Sequence, residues 1–391
     1  MQQALLIRLR PAGPWRYGPG DGGQDRVDTL YRSDRLYSAV TVAMRDLGFL
    51  QDWLSATAKA PPSIAFSSLF PFQGDSLFAI PPATAWPPLP TLVSTPSPVF
   101  LSKIRWKAAQ FVPVALIDSL LTGHSILADQ WLPDPESGCL LRRDRPSSSP
   151  FRITTRRAAA VDRLAQNSFE IRSTACVEFE AASGLWSVVR FSDESTESEW
   201  TGRIQAAFRL LSDTGFGGRR TSGWGQTQPP EFQRAPWPGL LFPKVAQSLA
   251  QRNGFANGNH AGSQFWLLSL YSPATNDEVD WASGDYQLTL RAGGNTKLLQ
   301  MVAEGSVMAA RSEPVGTIMD IAADGFSHPV YRSGIALALE LPAIEQQGLE
   351  EPVEQPSTEE AVDAQPCEEP PSSRTESPGT GIPSEEPVDD F

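Results

Sequence analysis

The chain has 391 residues, of which 40% are hydrophobic, 9% aromatic and 20% charged, enough apolar material for a core and for more than one domain, which excludes a wholly disordered chain. No run approaches the ~20 apolar residues of a membrane span, and Arg8 and Arg10 interrupt the apolar start before a signal-peptide core develops, so a soluble, cytoplasmic protein without membrane association is expected. The net charge of -13 argues against a nucleic-acid binder only until it is localised: residues 343–391 carry 14 acidic residues and the single Arg374, and residues 1–342 are neutral. With eight prolines and no aromatic before Phe391, that acidic tail is expected to be disordered. Cys139, Cys176 and Cys367 are too scattered for a disulfide framework or paired zinc ligands, so neither a metal nor a cofactor is expected.

In chain order, Leu5, Ile7 and Leu9 alternate with Leu6, Arg8 and Arg10 as a first strand, and the segment from Pro11 to Gly23 is a loop. Ser33 suits the N-cap of a helix with Asp34 in its first turn and Leu36, Val40, Ala43, Met44 and Leu47 at helical spacing, ending at Gly48. Short strands joined by turns fill residues 60–98, Ser76–Ile80 being the clearest. A basic, Ser/Pro-broken insertion follows from Arg142 to Arg163, with seven arginines against two aspartates. It reads as a flexible basic thumb or as a solvated loop. Strands around Thr174–Glu180 and Leu185–Phe191 form a hairpin through Ala-Ala-Ser-Gly. A second helix opens at Ser198-Glu199 with Trp200, Ile204, Ala207, Phe208 and Leu211 on one face.

This order predicts an α+β protein whose first domain, residues 1–228, is an insertion-decorated ferredoxin-like (RRM-like) βαββαβ unit. After a linker at 228–243, residues 229–342 form a second unit with strands at Gln264–Tyr271, Tyr286–Leu290 and Ile335–Leu341, and a short buried segment at Lys297–Val302. Residues 343–391 are the tail.

The helix at 198 runs into the richest chemical stretch. Gly215, Gly217, Gly218, Gly223 and Gly225 permit positive φ and close backbone approach, Arg219 and Arg220 supply charge, and Thr221 and Ser222 supply donors, a composition suited to a polyanion. No Gly-Lys-Ser/Thr ends the loop, and it follows a helix instead of leading a strand into one, so it is neither a Walker A nor a dinucleotide motif. A mobile glycine-rich hairpin with two exposed arginines is the alternative.

Four motifs carry a family resemblance: Ser33-Asp34-Arg35-Leu36-Tyr37-Ser38-Ala39, the loop Gly215–Gly225, Glu304-Gly305-Ser306, and His328-Pro329-Val330-Tyr331-Arg332-Ser333-Gly334. Together they resemble the RAMP superfamily of type III CRISPR effector proteins, and within it the family of the fourth Csm subunit of type III-A complexes. The resemblance implies tandem ferredoxin-like domains in a prokaryotic, non-catalytic scaffold that holds the 5′ tag of crRNA and contacts the large multidomain subunit and a backbone RAMP subunit. Where family members often carry aromatic-His-aromatic-Gly after the first strand, this chain has Trp15-Arg16-Tyr17-Gly18, which keeps a cation. The RNA contacts so implied come from Trp15, Arg16, Tyr17, Ser33, Arg35, the basic insertion (Arg156, Arg157, Arg163), Gly215, Gly217, Gly218, Arg219, Arg220, Ser222, Gly223, Gly225, Ser306, Tyr331 and Arg332. Single-stranded RNA is held by phosphate contacts and by stacking on aromatics or guanidinium planes, and Trp15, Tyr17, Trp224 and Tyr331 lie beside such arginines, though Trp224 and Tyr331 also suit a core.

Two other readings stay open. A metal-independent crRNA-processing ribonuclease of the same superfamily needs a general acid-base histidine, and only His124, His260 and His328 are available, each in a turn or loop context. The other is a protein-interaction module that does not bind RNA.

Overall fold

β1 (Gln3–Leu9) buries Leu5, Leu6, Ile7 and Leu9 alike, so Leu6 faces a second packed layer instead of solvent. In this computed structural model, residues 2–18, 23–59, 61–94, 106–144, 148–162, 167–253, 262–291 and 296–342 are described. The expected tail lies outside them, as do Arg163 and His260. Residues 1–344 form one compact unit, and none of the described helices is long and apolar enough to cross a membrane.

α1 (Ser33–Asp46) buries Leu36, Tyr37, Val40, Ala43 and Met44 along one face. Its N-cap is Arg32, not Ser33, and no side chain caps it. A second helix that the periodicity does not announce, α2 (Leu50–Thr57), inserts Trp53 among Tyr37, Phe66 and Trp200. β2 (Ile64–Phe66), β3 (Phe70–Gln73) and β4 (Ser76–Ala79) follow. Then come β5 (Val93–Ser94), β6 (Val112–Pro113), α3 (Val114–Leu121), β7 (Ile126–Leu127), β8 (Trp131–Pro133) and β9 (Leu140–Arg142).

The basic insertion is a regular antiparallel ribbon, not a broken loop: β10 (Phe151–Asp162) pairs with β11 (Asn167–Phe179) from Phe151↔Phe179 to Asp162↔Asn167. β12 (Ser183–Phe191) follows β11 closely but pairs with β1, β2 and β3, so the expected β11–β12 hairpin is absent. α4 (Glu194–Thr214) starts four residues before the predicted Ser198, because the Asp193 carboxylate accepts the Thr196 N–H at 2.8 Å. Its predicted apolar face is buried.

β13 (Glu231–Pro236) pairs with β1 from Gln3↔Pro236 to Arg8↔Glu231. The boundary at 228/229 therefore cuts off a strand that belongs to the first sheet. That sheet runs β13-β1-β12-β3-β4-β6, with β2 also against β12. In the run β1-α1-β2/β3-β12-α4-β13, the strands stand in the spatial order fourth, first, third, second, and every pairing is antiparallel.

α5 (Pro243–Asn253) is seated by Asp118 of α3, whose carboxylate accepts the N–H groups of Lys244 and Val245 at 3.1 and 2.9 Å. The remaining strands are β14 (Ser263–Leu267), β15 (Val279–Asp285), β16 (Leu288–Arg291), β17 (Leu299–Val302), β18 (Val307–Ala310), β19 (Gly316–Asp320), β20 (Tyr331–Ile335) and β21 (Ala338–Glu340). β16 pairs with β17 and β19 with β20 as hairpins. The second sheet, β15-β18-β14-β21, repeats the fourth-first-third-second order read from its other edge. Among the described residues, a loop and the β19–β20 hairpin stand where a βαββαβ unit has helices. Trp266, Leu268, Val307, Ile335, Leu337 and Leu339 share one buried cluster with the first sheet, which is why β1 is covered on both faces.

Candidate nucleic-acid interface

α4 ends at Gly215 (φ 89°), and the chain then folds back on itself through positive φ at Gly217, Gly223 and Gly225. Three of these glycines serve the chain's own packing. A Cβ on Gly215, Gly217 or Gly225 would stand 2.5, 2.3 or 2.0 Å from the carbonyl oxygen of Trp224, Arg16 or Phe216. The N–H groups of Phe216, Gly218 and Gly225 donate to carbonyls of Gly225, Arg16 and Pro14. Gly218 and Gly223 lie on the exposed side with Arg220, Thr221 and Ser222, while Trp224 is half-buried. The loop is thus a rigid platform stitched onto residues 14–16, and its outward groups are side chains more than free backbone donors.

Below it, Trp15 and Tyr17 are buried, which corrects their assignment to base stacking. Trp15 stacks on Phe216 at 5.1 Å between ring centroids and meets Tyr31 edge-on, and Tyr17 meets Tyr31 in the same way. Burial raises the Tyr17 hydroxyl far above its ordinary range, and its oxygen has no hydrogen-bond partner. Burial also pushes Tyr31 up to about 12, against the opposing pull of Arg35 and of the Gly217 N–H that donates to it. Arg16 points back into the fold. Its guanidinium donates to the carbonyls of Ala175 (2.9 Å), Gln24 (3.2 Å), Arg26 (3.3 Å) and Gly23, pinning the segment before α1 to the ribbon base. Trp15 and Val177 exchange both backbone hydrogen bonds at the same place.

Arg219 is the one non-glycine residue with positive φ among the described residues (φ 61°). Its Nη2 donates to Oε1 of Gln24 at 2.8 Å and to Oγ1 of Thr174 at 3.2 Å. Thr174 lies directly opposite Arg156 in the ribbon, so Arg219 and Arg156 share one face. Arg156 is exposed but spoken for, donating to Glu178 at 2.9 and 2.7 Å. The hydrogen bond from Arg156 is the main reason that the Glu178 carboxyl sits below its usual range. Arg157 and Arg220 are exposed. Neither side chain makes a hydrogen bond or ion pair among the described residues. Thus Arg16, Arg219, Arg220, Arg156 and Arg157 gather around the glycine loop and the ribbon base.

A second group of expected contacts lies at the buried junction of the two sheets instead. Ser33 takes the Leu270 N–H on its hydroxyl at 3.0 Å, and its own N–H donates to Ser68. The Ser306 hydroxyl is buried and accepts the Gln287 N–H at 3.1 Å. Arg35 pairs with Asp28 at 3.1 Å and donates to the Gly18 carbonyl. Arg332 reaches Asp34 at 3.0 Å, and burial holds its guanidinium below its ordinary value against the pull of that carboxylate. Tyr331 is half-buried in β20, beside α1. Ser33 and Ser306 are therefore fully engaged with the chain itself.

Local sequence could not show what holds this junction. Asp34, taken as a helix-start charge, is buried between Arg291, which grips both its oxygens at 3.0 Å, and Arg332. Glu304 is buried too, accepting from Ser68 and pairing with Arg32. The partners are hundreds of residues apart, and the only local signal was the presence of acids inside the Ser-Asp and Glu-Gly-Ser motifs. Of the histidines, His124 contacts Thr122 and His328 the Pro329 carbonyl, both in exposed turns.

Residues 260–341 match the family model of the CRISPR Csm4 C-terminal domain. The C-terminal part of the chain is thus similar to that of Csm4. Its fold is similar to a chain of the Csm1–Csm4 cassette in complex with pppApA, with a TM-score of 0.53 at 17% identity over 87% of this chain and 98% of that one. The cassette in complex with cA4 gives 0.53 at 18% identity over the same shares. A chain of the Csm3–Csm4 subcomplex from the type III-A CRISPR-Cas interference complex gives 0.53 at 15% identity, over 88% and 99%. No curated protein matches the sequence. Glu304 and Arg332 lie in the matched C-terminal segment and reach Arg32 and Asp34 at the start of α1, so the charged junction ties that segment to the half bearing the glycine loop.

Proposed function

We propose that this chain is a non-catalytic subunit of a type III-A CRISPR effector complex that holds the 5′ tag of crRNA, in the cytoplasm of a prokaryote. The reading rests chiefly on one observation: Arg16 and Arg219, which share Gln24 as an acceptor, are held by neutral oxygens and pair with no carboxylate among the described residues, with exposed Arg220 alongside. Such preset, uncompensated cations suit a phosphodiester backbone, whose binding is driven by charge neutralisation. The ribbon extends this surface as a basic finger alongside the RNA, with Arg156 and Arg157 at its base. The repeated strand order supports tandem ferredoxin-like sheets, the second having exchanged helices for a loop and a hairpin. The large subunit and a backbone RAMP subunit are the proposed neighbours, because similarly folded chains occur in structures with Csm1 and with Csm3.

The experiment is to incubate the purified chain with labelled single-stranded RNA carrying a repeat-derived 5′ end, without metal, and to follow filter retention and RNA length. Retention of intact RNA is expected. Cleavage would favour the processing ribonuclease, and no retention at any salt would favour a module that only binds protein.

A further inference from the structure

Near the glycine loop several guanidinium groups already have a counter-charge: Arg10 has Glu231, Arg35 has Asp28 and Arg156 has Glu178. Arg219 differs. Its two acceptors, the Gln24 amide oxygen and the Thr174 hydroxyl, orient the guanidinium without cancelling its charge. They come from separate parts of the chain, Gln24 from the segment pinned by Arg16 and Thr174 from the ribbon, and they are tied to each other because the Ala175 N–H donates to the Gln24 carbonyl at 2.8 Å. The backbone at Arg219 adopts φ 61°, a conformation that residues with side chains rarely take. It is held by Ser222 and Trp224, whose N–H groups donate to the Arg219 carbonyl. Because arginine has only donors, the Gln24 amide must turn its oxygen inward to Arg219.

We infer that Gln24 and Thr174 are positioning residues of the RNA site, holding the Arg219 guanidinium in place with its charge intact before the phosphate arrives. This rests on the RNA-binding role proposed above. A preset cation binds without a further ordering cost, and a neutral acceptor leaves the incoming phosphate as its only counter-charge. A carboxylate at position 24 would keep the geometry and remove the charge, so the two contributions can be separated.

The probe is labelled single-stranded RNA, titrated against the full chain over a range of salt, with thermal midpoints recorded in parallel. Gln24→Glu should weaken binding about tenfold and flatten the slope of log K against log salt by ~0.7, one single-strand phosphate contact. Thr174→Val should weaken binding a few-fold at unchanged slope, since the charge remains and only its placement is lost, and Thr174→Ser should restore it. A purely structural role would not move the slope. Gln24→Glu with wild-type affinity and slope overturns the inference, as does a Thr174→Val variant that binds like wild type. If replacing Arg219 and Arg220 together by alanine weakens binding while Gln24→Glu does not, only this inference falls; if that double variant also binds normally, the RNA-binding reading falls with it.

Discussion

At the junction of the two sheets, Arg291 and Arg332 converge on Asp34 and Arg32 meets Glu304. At the glycine loop, Arg16 and Arg219 rest on neutral oxygens and Arg220 stands exposed. The same residue type does different work according to what faces it. A buried guanidinium with a carboxylate fixes the relation of two segments, because removing either partner strands a charge in the interior. A guanidinium held only by neutral groups keeps its full field for a ligand. Motif membership does not separate the two cases: Arg332 and Arg219 both lie in the motifs that carry the resemblance, yet one is tied to a carboxylate and the other rests on neutral oxygens.

The comparison breaks most sharply at Asp34. Asp34→Asn keeps the shape and leaves Arg291 and Arg332 without a buried anion, so the chain should lose about 3–5 kcal/mol of stability in denaturant unfolding. A loss under about 1 kcal/mol would mean that the junction does not depend on this charge. Glu304→Gln retains an acceptor for Ser68 and leaves Arg32 on its more exposed side, so a smaller loss of about 1–3 kcal/mol is expected by the same measurement. An effect larger than that of Asp34→Asn would reverse the ranking. On the ribbon the contrast is finer. Arg157 has no counter-charge among the described residues and Arg156 shares Glu178, so Arg157→Ala should flatten the salt slope of RNA binding by up to ~0.7 and Arg156→Ala by less. Equal slopes would show that pairing with Glu178 does not matter.

The legible parts of this chain were those that local periodicity writes. β1, the apolar face of α1, β4 and the buried face of α4 follow from spacing alone, and the glycine loop was found where composition put it. The ribbon was missed as structure because Thr155 and Arg157 interrupt the apolar alternation of β10 and Ser173 that of β11, and the pairing of the two strands with each other is not a local signal. The hairpin expected between β11 and β12 failed for a related reason: β12 is drawn into the first sheet by β1, 180 residues away in sequence. Trp15 and Tyr17 were misread because a sequence shows an aromatic beside an arginine but not which of the two points inward. The roles of Asp34 and Glu304 were illegible because their partners Arg291, Arg332 and Arg32 lie far along the chain, whereas the presence of Arg219 and Arg220 in a glycine loop is visible within a few residues.

One salt titration tests the charge of the glycine loop most directly: full-length protein and the Arg219→Ala/Arg220→Ala double variant are compared for single-stranded RNA binding, with thermal midpoints alongside. Loss of the Arg219 and Arg220 guanidinium groups should lower the slope of log K against log salt by up to ~1.4, two single-strand phosphate contacts, with the melting temperature nearly unchanged. An unchanged slope, or a weakened affinity that comes only with a lowered melting temperature, would contradict the claim that the glycine loop presents uncompensated charge to RNA.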